Sequence, residues 1–82
     1  MIKSLHSVRY KAFLTLLGEA RIRSGLTQRQ VASKLKITQS AVSKVESGER
    51  RLDVVELHAW CEALGESFTG LTKTLDSRLG RD

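Results

Sequence analysis

Between Thr38 and Gly48 the chain carries Gln39, Ser40, Ser43 and Lys44, four side chains suited to hydrogen bonding rather than to making or breaking bonds. At helical spacing Val42 and Val45 form one narrow apolar stripe, and these four fall away from it, towards solvent or a ligand. A carboxamide such as Gln39 can bind adenine through N6 and N7. An ammonium such as Lys44 can bind guanine O6 and N7 or a phosphate, and the Ser40 and Ser43 hydroxyls can serve several bases. Taken without context, the same residues also fit an ordinary polar helix face. No competing chemistry is visible: no nucleophile, base and oxyanion donors occur as a set, so no enzyme is expected. His58 stands three residues before Cys61, but two residues do not make a metal site, and His6 has no partner either. Neither metal nor cofactor is expected, and Cys61 reads as a small core hydrophobe.

The elements that must position these side chains are legible from caps and stripes. Thr27 precedes Gln30 by three residues, a capping-box spacing, and Val31, Ala32 and Leu35 follow at helical intervals. The pattern breaks at Lys36 and Ile37, Thr38 restarts it as a second N-cap, and Gly48 stops it. Upstream, Ser7 caps a first helix whose inward stripe is Tyr10, Phe13, Leu14, Leu17 and Ala20, with Leu16 at its edge and Ile22 off it; Gly25 ends it. Downstream, Asp53 with Glu56 opens a helix with Val54, Leu57, Trp60, Cys61 and Leu64 on its apolar side, closed by Gly65. Ser67 opens a last one striped by Phe68, Leu71, Leu75 and Leu79. The helices are thus expected at about 8–24, 28–35, 39–47, 54–64 and 68–79, in one all-α domain over 7–82 behind a frayed arm at 1–6.

Composition agrees. Eighty-two residues with no proline, few aromatics and a single cysteine leave room for one small helical bundle without disulfides, suited to a reducing cytoplasm. No run approaches a membrane span and the first residues lack a secretory apolar core, so no membrane association is expected. The net charge of +5 is unevenly spread. Residues 1–52 hold 11 Lys and Arg against 3 Asp and Glu, a net +8, whereas residues 53–82 hold 3 against 6, a net −3. A polyanion such as nucleic acid suits the first half, although surplus cations can simply keep a small protein soluble.

The stretch TQRQVASKLKITQSAVSKVESGERRL resembles the helix-turn-helix of the lambda repressor/Cro-type, or XRE-type, transcriptional regulators. The shared features are Gly25-Leu26-Thr27-Gln28, Val31-Ala32, Leu35, Ile37, Gln39-Ser40, Val42-Ser43, Glu46, Gly48 and Arg50. The resemblance implies a compact five-helix bundle in which the second helix crosses the DNA backbone and the third lies in the major groove. On that reading Gln39, Ser40, Ser43 and Lys44 contact bases, while Gln28, Arg29, Thr38, Arg50 and Arg51 contact the backbone, with Thr38 also acting as a cap. Arg29 and Lys34 on a solvated face, or Arg50 and Arg51 in a solvated loop, are the plainer alternatives. The family also pairs an arginine near the end of the first helix with a glutamate late in the third; Arg21 and Glu46 hold those positions as a structural ion pair. Lys36 departs from the pattern, since many members have glycine there for a left-handed turn.

Family members commonly bind two-fold related half-sites as dimers, which implies a homodimeric repressor on palindromic double-stranded DNA. Trp60, Phe68, Leu71 and Leu75 are the expected dimer contact, although the same stripe would serve equally to cover the core. A different class remains open: an antitoxin or adaptor acting through a protein partner on its acidic half.

Overall fold

The computed structural model describes residues 7–80; the arm expected at 1–6 lies outside them. Five α-helices follow one another: α1 (Val8–Ser24), α2 (Gln28–Leu35), α3 (Gln39–Ser47), α4 (Val54–Leu64) and α5 (Phe68–Leu79), with no strand among the described residues. Each begins on a side chain that satisfies an otherwise orphaned amide. Ser7, Thr27, Thr38, Asp53 and Ser67 accept from the backbone N–H three residues on. Gln30 and Glu56 reach back to complete capping boxes at α2 and α4. The first four helices end on a left-handed residue, Gly25, Lys36, Gly48 and Gly65, so the chain reverses within a few residues each time.

All five helices contribute to one apolar cluster: Phe13, Leu16, Leu17 and Ala20 from α1, Val31 and Ala32 from α2, Val42 and Val45 from α3, Leu57, Trp60, Cys61 and Leu64 from α4, and Leu71 from α5. Leu17, Val31, Val42 and Val45 have no exposed surface, and each such side chain stabilises the fold by roughly 1.5–3 kcal/mol. α1 is the hub, packing against α3, α4 and α5. Two ion pairs fasten its outer side, Arg23 to Glu66 at 2.9 Å and Arg78 to Glu19 at 2.7 Å. Both are exposed enough that water screens them, so apolar contact does most of the holding.

Three sequence expectations change. Leu16, expected at the edge of its stripe, is buried because α5 brings Gly70 and Leu71 against that flank; Tyr10 and Leu14 are only half-buried. Val54, expected on the apolar side of α4, is 64% exposed, as is its neighbour Val55 at 74%, and full burial on that helix begins at Leu57. Trp60 and Leu71, expected at a dimer contact, are 3% and 4% exposed. Their surface is spent inside the protomer, leaving only Phe68 and Leu75 of that group half-exposed.

Candidate nucleic-acid interface

The α2–α3 connection sets the orientation of α3. Lys36 adopts φ 60°, ψ 42°, and there its N–H reaches Ser33 O at 3.2 Å while the Ile37 N–H reaches Ala32 O at 3.0 Å. These two bonds close a Schellman turn, so the left-handed conformation expected at this position is present although the residue is lysine. Thr38 Oγ1 then accepts from the Ala41 N–H at 3.0 Å and starts α3 at once.

α3 is seated by Val42 and Val45, which have no exposed surface. On its other side Gln39, Ser40, Ser43 and Lys44 are all exposed, and among the described residues none of these side chains is engaged in a hydrogen bond. Four neighbouring polar groups with unspent donors and acceptors are what base-edge recognition requires. At the far end Gly48, with φ 88°, turns the chain away, and the Glu49 and Arg50 N–H groups both bond to Lys44 O, at 2.9 and 3.1 Å. A side chain at that φ would be strained.

Glu46 ties α3 to its supports. Arg21 Nε donates to Glu46 Oε2 at 2.7 Å and Arg21 Nη2 to Oε1 at 3.3 Å, a bidentate pair, while Arg21 Nη1 donates to Leu26 O at 2.9 Å. Gln28 Nε2 adds a third donor to the carboxylate, reaching Oε1 at 3.0 Å. One carboxylate thus links the end of α1, the first turn of α2 and the last turn of α3. Sequence reasoning placed Arg21 beside Glu46 but missed Gln28, because a contact across 18 residues has no local signature. The half-buried Gln28 keeps its carbonyl oxygen and second N–H at the N-terminus of α2, where backbone amides favour an anion.

The remaining basic residues separate. Arg29 and Lys34 lie exposed on α2. Arg50 and Arg51, adjacent in sequence, diverge. Arg50 Nη2 lies 3.5 Å from Glu56 Oε2, and the Arg51 guanidinium sits 4.9 Å from the centre of the Tyr10 ring. Tyr10 Oη also accepts from the Leu52 N–H at 3.4 Å, so the loop after α3 is fastened to α1. Ionisation is displaced elsewhere: the Glu66 carboxylate raises the pKa of Arg23, and burial, helped by Glu66, raises that of the Cys61 thiol. Among the described residues no cluster of histidine, cysteine or carboxylates could hold a metal, and no helix is long and apolar enough to cross a membrane.

Residues 17–71 match the model of the helix-turn-helix family. Among solved structures, the chain is similar to an XRE-family like protein from Pseudomonas syringae pv. tomato str. DC3000. The two are 42% identical, with 95% of each chain covered and a TM-score of 0.86. It also shares its fold with a mutant of the restriction-modification controller protein C.Esp1396I, at 20% identity, 89% and 97% coverage and a TM-score of 0.81. The clp gene regulator ClgR from C. glutamicum is a third, at 21% identity, 93% and 99% coverage and a TM-score of 0.77. No curated protein sequence matches the chain.

Proposed function

The chain belongs to the XRE-type helix-turn-helix family of DNA-binding transcription regulators, and from that premise we propose that it represses transcription as a homodimer on a palindromic operator. In this reading α3 enters the major groove and Gln39, Ser40, Ser43 and Lys44 read base edges. Gln28, Arg29, Thr38, Arg50 and Arg51 hold the phosphates on either side. The observation that carries the reading is the division of α3: two valines seated without exposure on one side, four polar side chains with unspent hydrogen-bonding groups on the other. The +8 charge of residues 1–52 supports it, because that segment contains the whole helix-turn-helix. The half-exposed Phe68 and Leu75 are the residues assigned to contact between copies.

Selection of bound fragments from random duplex DNA tests the proposal. Two inverted half-sites with centres one helical turn apart, roughly 34 Å, are expected for a two-fold dimer. Affinity should fall steeply with salt, with a log–log slope of about −0.9 for each phosphate neutralised. Gln39→Ala and Lys44→Ala should change the preferred sequence, whereas Gln28→Ala should weaken all sites alike. No enrichment, together with a response flat in salt, would overturn DNA binding and favour action through a protein partner.

A further inference from the structure

Behind the helix-turn-helix lies a pocket open to solvent on the side of Arg50 and Ala59, with space of about 180 Å³ lined by Leu35, Ile37, Arg50, Leu52, Glu56, Ala59 and Trp60. Apart from the two charged side chains its wall is apolar. Engineered apolar cavities of roughly 150 Å³ hold one benzene ring, so this space accommodates a ring or branched chain with one small substituent. Trp60 contributes ring surface to this wall, while its Nε1 lies buried without a hydrogen-bond partner among the described residues. Arg50 supplies a cation, and its contact with Glu56 is long at 3.5 Å with both side chains more than 40% exposed. Such a pair holds together weakly and opens readily to a better acceptor.

We infer that this cavity is an effector site for a small carboxylic acid with a compact apolar body, the carboxylate on Arg50 and the body against Leu35, Ile37, Leu52, Ala59 and Trp60. Glu56 keeps its other oxygen on the Asp53 N–H, at 3.0 Å, so it retains a partner when Arg50 turns to the ligand. A guanidinium can grip a carboxylate through two parallel bonds at about 2.7–2.9 Å, whereas its approach to Glu56 is long at 3.5 Å. Occupancy has a direct route to DNA. Leu35 ends α2 and Ile37 immediately precedes the cap of α3, so a bound body presses on the turn that aims the recognition helix. The ligand also occupies Arg50, assigned above to a phosphate. The linkage rests on the DNA-binding reading, whereas the binding itself does not. The expected outcome is weaker DNA binding with ligand present, and, by reciprocity, weaker ligand binding with DNA present.

Trp60 is the only tryptophan of the chain, so its fluorescence reports on the cavity directly. The full chain, free of DNA, is titrated with benzoate and with cyclohexanecarboxylate, and in parallel with benzamide and inorganic phosphate. Saturable emission changes and a raised Tm are expected for the two acids, with a dissociation constant on the order of millimolar for so few ligand atoms. The response should weaken about tenfold in Arg50→Gln, where one charge-assisted contact is lost, and should vanish in Ala59→Leu, which fills the space. No saturable response overturns the site. An equal response to phosphate shows an adventitious ion only, and an undiminished response in Ala59→Leu shows binding elsewhere; either overturns it. Should Ala59→Leu fail to fold, undiminished binding by Arg50→Gln alone is enough to reject it. DNA affinity is then measured with and without benzoate. Unchanged affinity in a protein that binds both overturns the effector role, and a protein that binds benzoate but no DNA overturns the regulatory reading while leaving the cavity assignment intact.

Discussion

Glu46 shows at the scale of a residue how a polar group can be cheap inside a small protein. Its side chain is 13% exposed and that of Arg21 19%, so neither is fully hydrated, yet four donor contacts meet between them and their neighbours. Arg21→Ala is expected to destabilise the fold by about 2 kcal/mol, a drop of roughly 10 °C in Tm, because the carboxylate then keeps only Gln28. Arg21→Lys should recover little of this, since an ammonium cannot reproduce the fork. A thermal melt showing no change for Arg21→Ala would refute this account. Lys36 is the opposite case, a residue at odds with its backbone at φ 60°. Left-handed conformation costs a side-chain-bearing residue roughly 1–2 kcal/mol, part of which glycine returns through its freer unfolded chain. Lys36→Gly should therefore raise stability by about 0.5–1 kcal/mol in a denaturant titration, and a lowered midpoint would count against the strain.

Among the helices, the start of α3 is where fold stability meets the DNA recognition proposed above. Thr38→Ala removes the hydroxyl that holds the Ala41 N–H, at an expected cost of about 1 kcal/mol, and loosens the turn carrying Gln39 and Ser40. DNA affinity should fall in Thr38→Ala and largely return in Thr38→Ser, measured by fluorescence anisotropy; equal loss in both would assign the effect to the methyl group instead. The ends of all five helices could be read from sequence because each is fixed locally, by a cap three residues from its target or by a reversal at its last turn. The polar side of α3 was legible for the same reason, through Val42 and Val45. Apart from the Arg21–Glu46 pair, which the family resemblance implied, the contacts between elements have no local signature. Leu16 is buried by a partner that arrives more than 50 residues later, and Trp60 and Leu71 carry the same stripe signature whether they face their own core or another subunit. Gln28 meeting Glu46, and the parting of Arg50 from Arg51, are likewise products of packing angle.

For the molecule as a whole, the arrangement of helices around α1 makes α5 indispensable. A domain of this size has a net stability of roughly 4–12 kcal/mol, and burying Leu71 with part of Phe68 and Leu75 supplies about 3–6 of it. A chain ending at Ser67 also leaves Leu16 uncovered. It should show no cooperative thermal transition by circular dichroism; a sharp melt like that of the whole chain would show that α5 is an accessory. Since α1 leaves the ribosome first and α5 last, at about 5–20 residues per second the first helix spends several seconds with its greasiest side uncovered. During translation this protein therefore passes through an interval in which the α3 segment has been made but has nothing firm to stand on, and the nascent chain is then most open to chaperones and proteases.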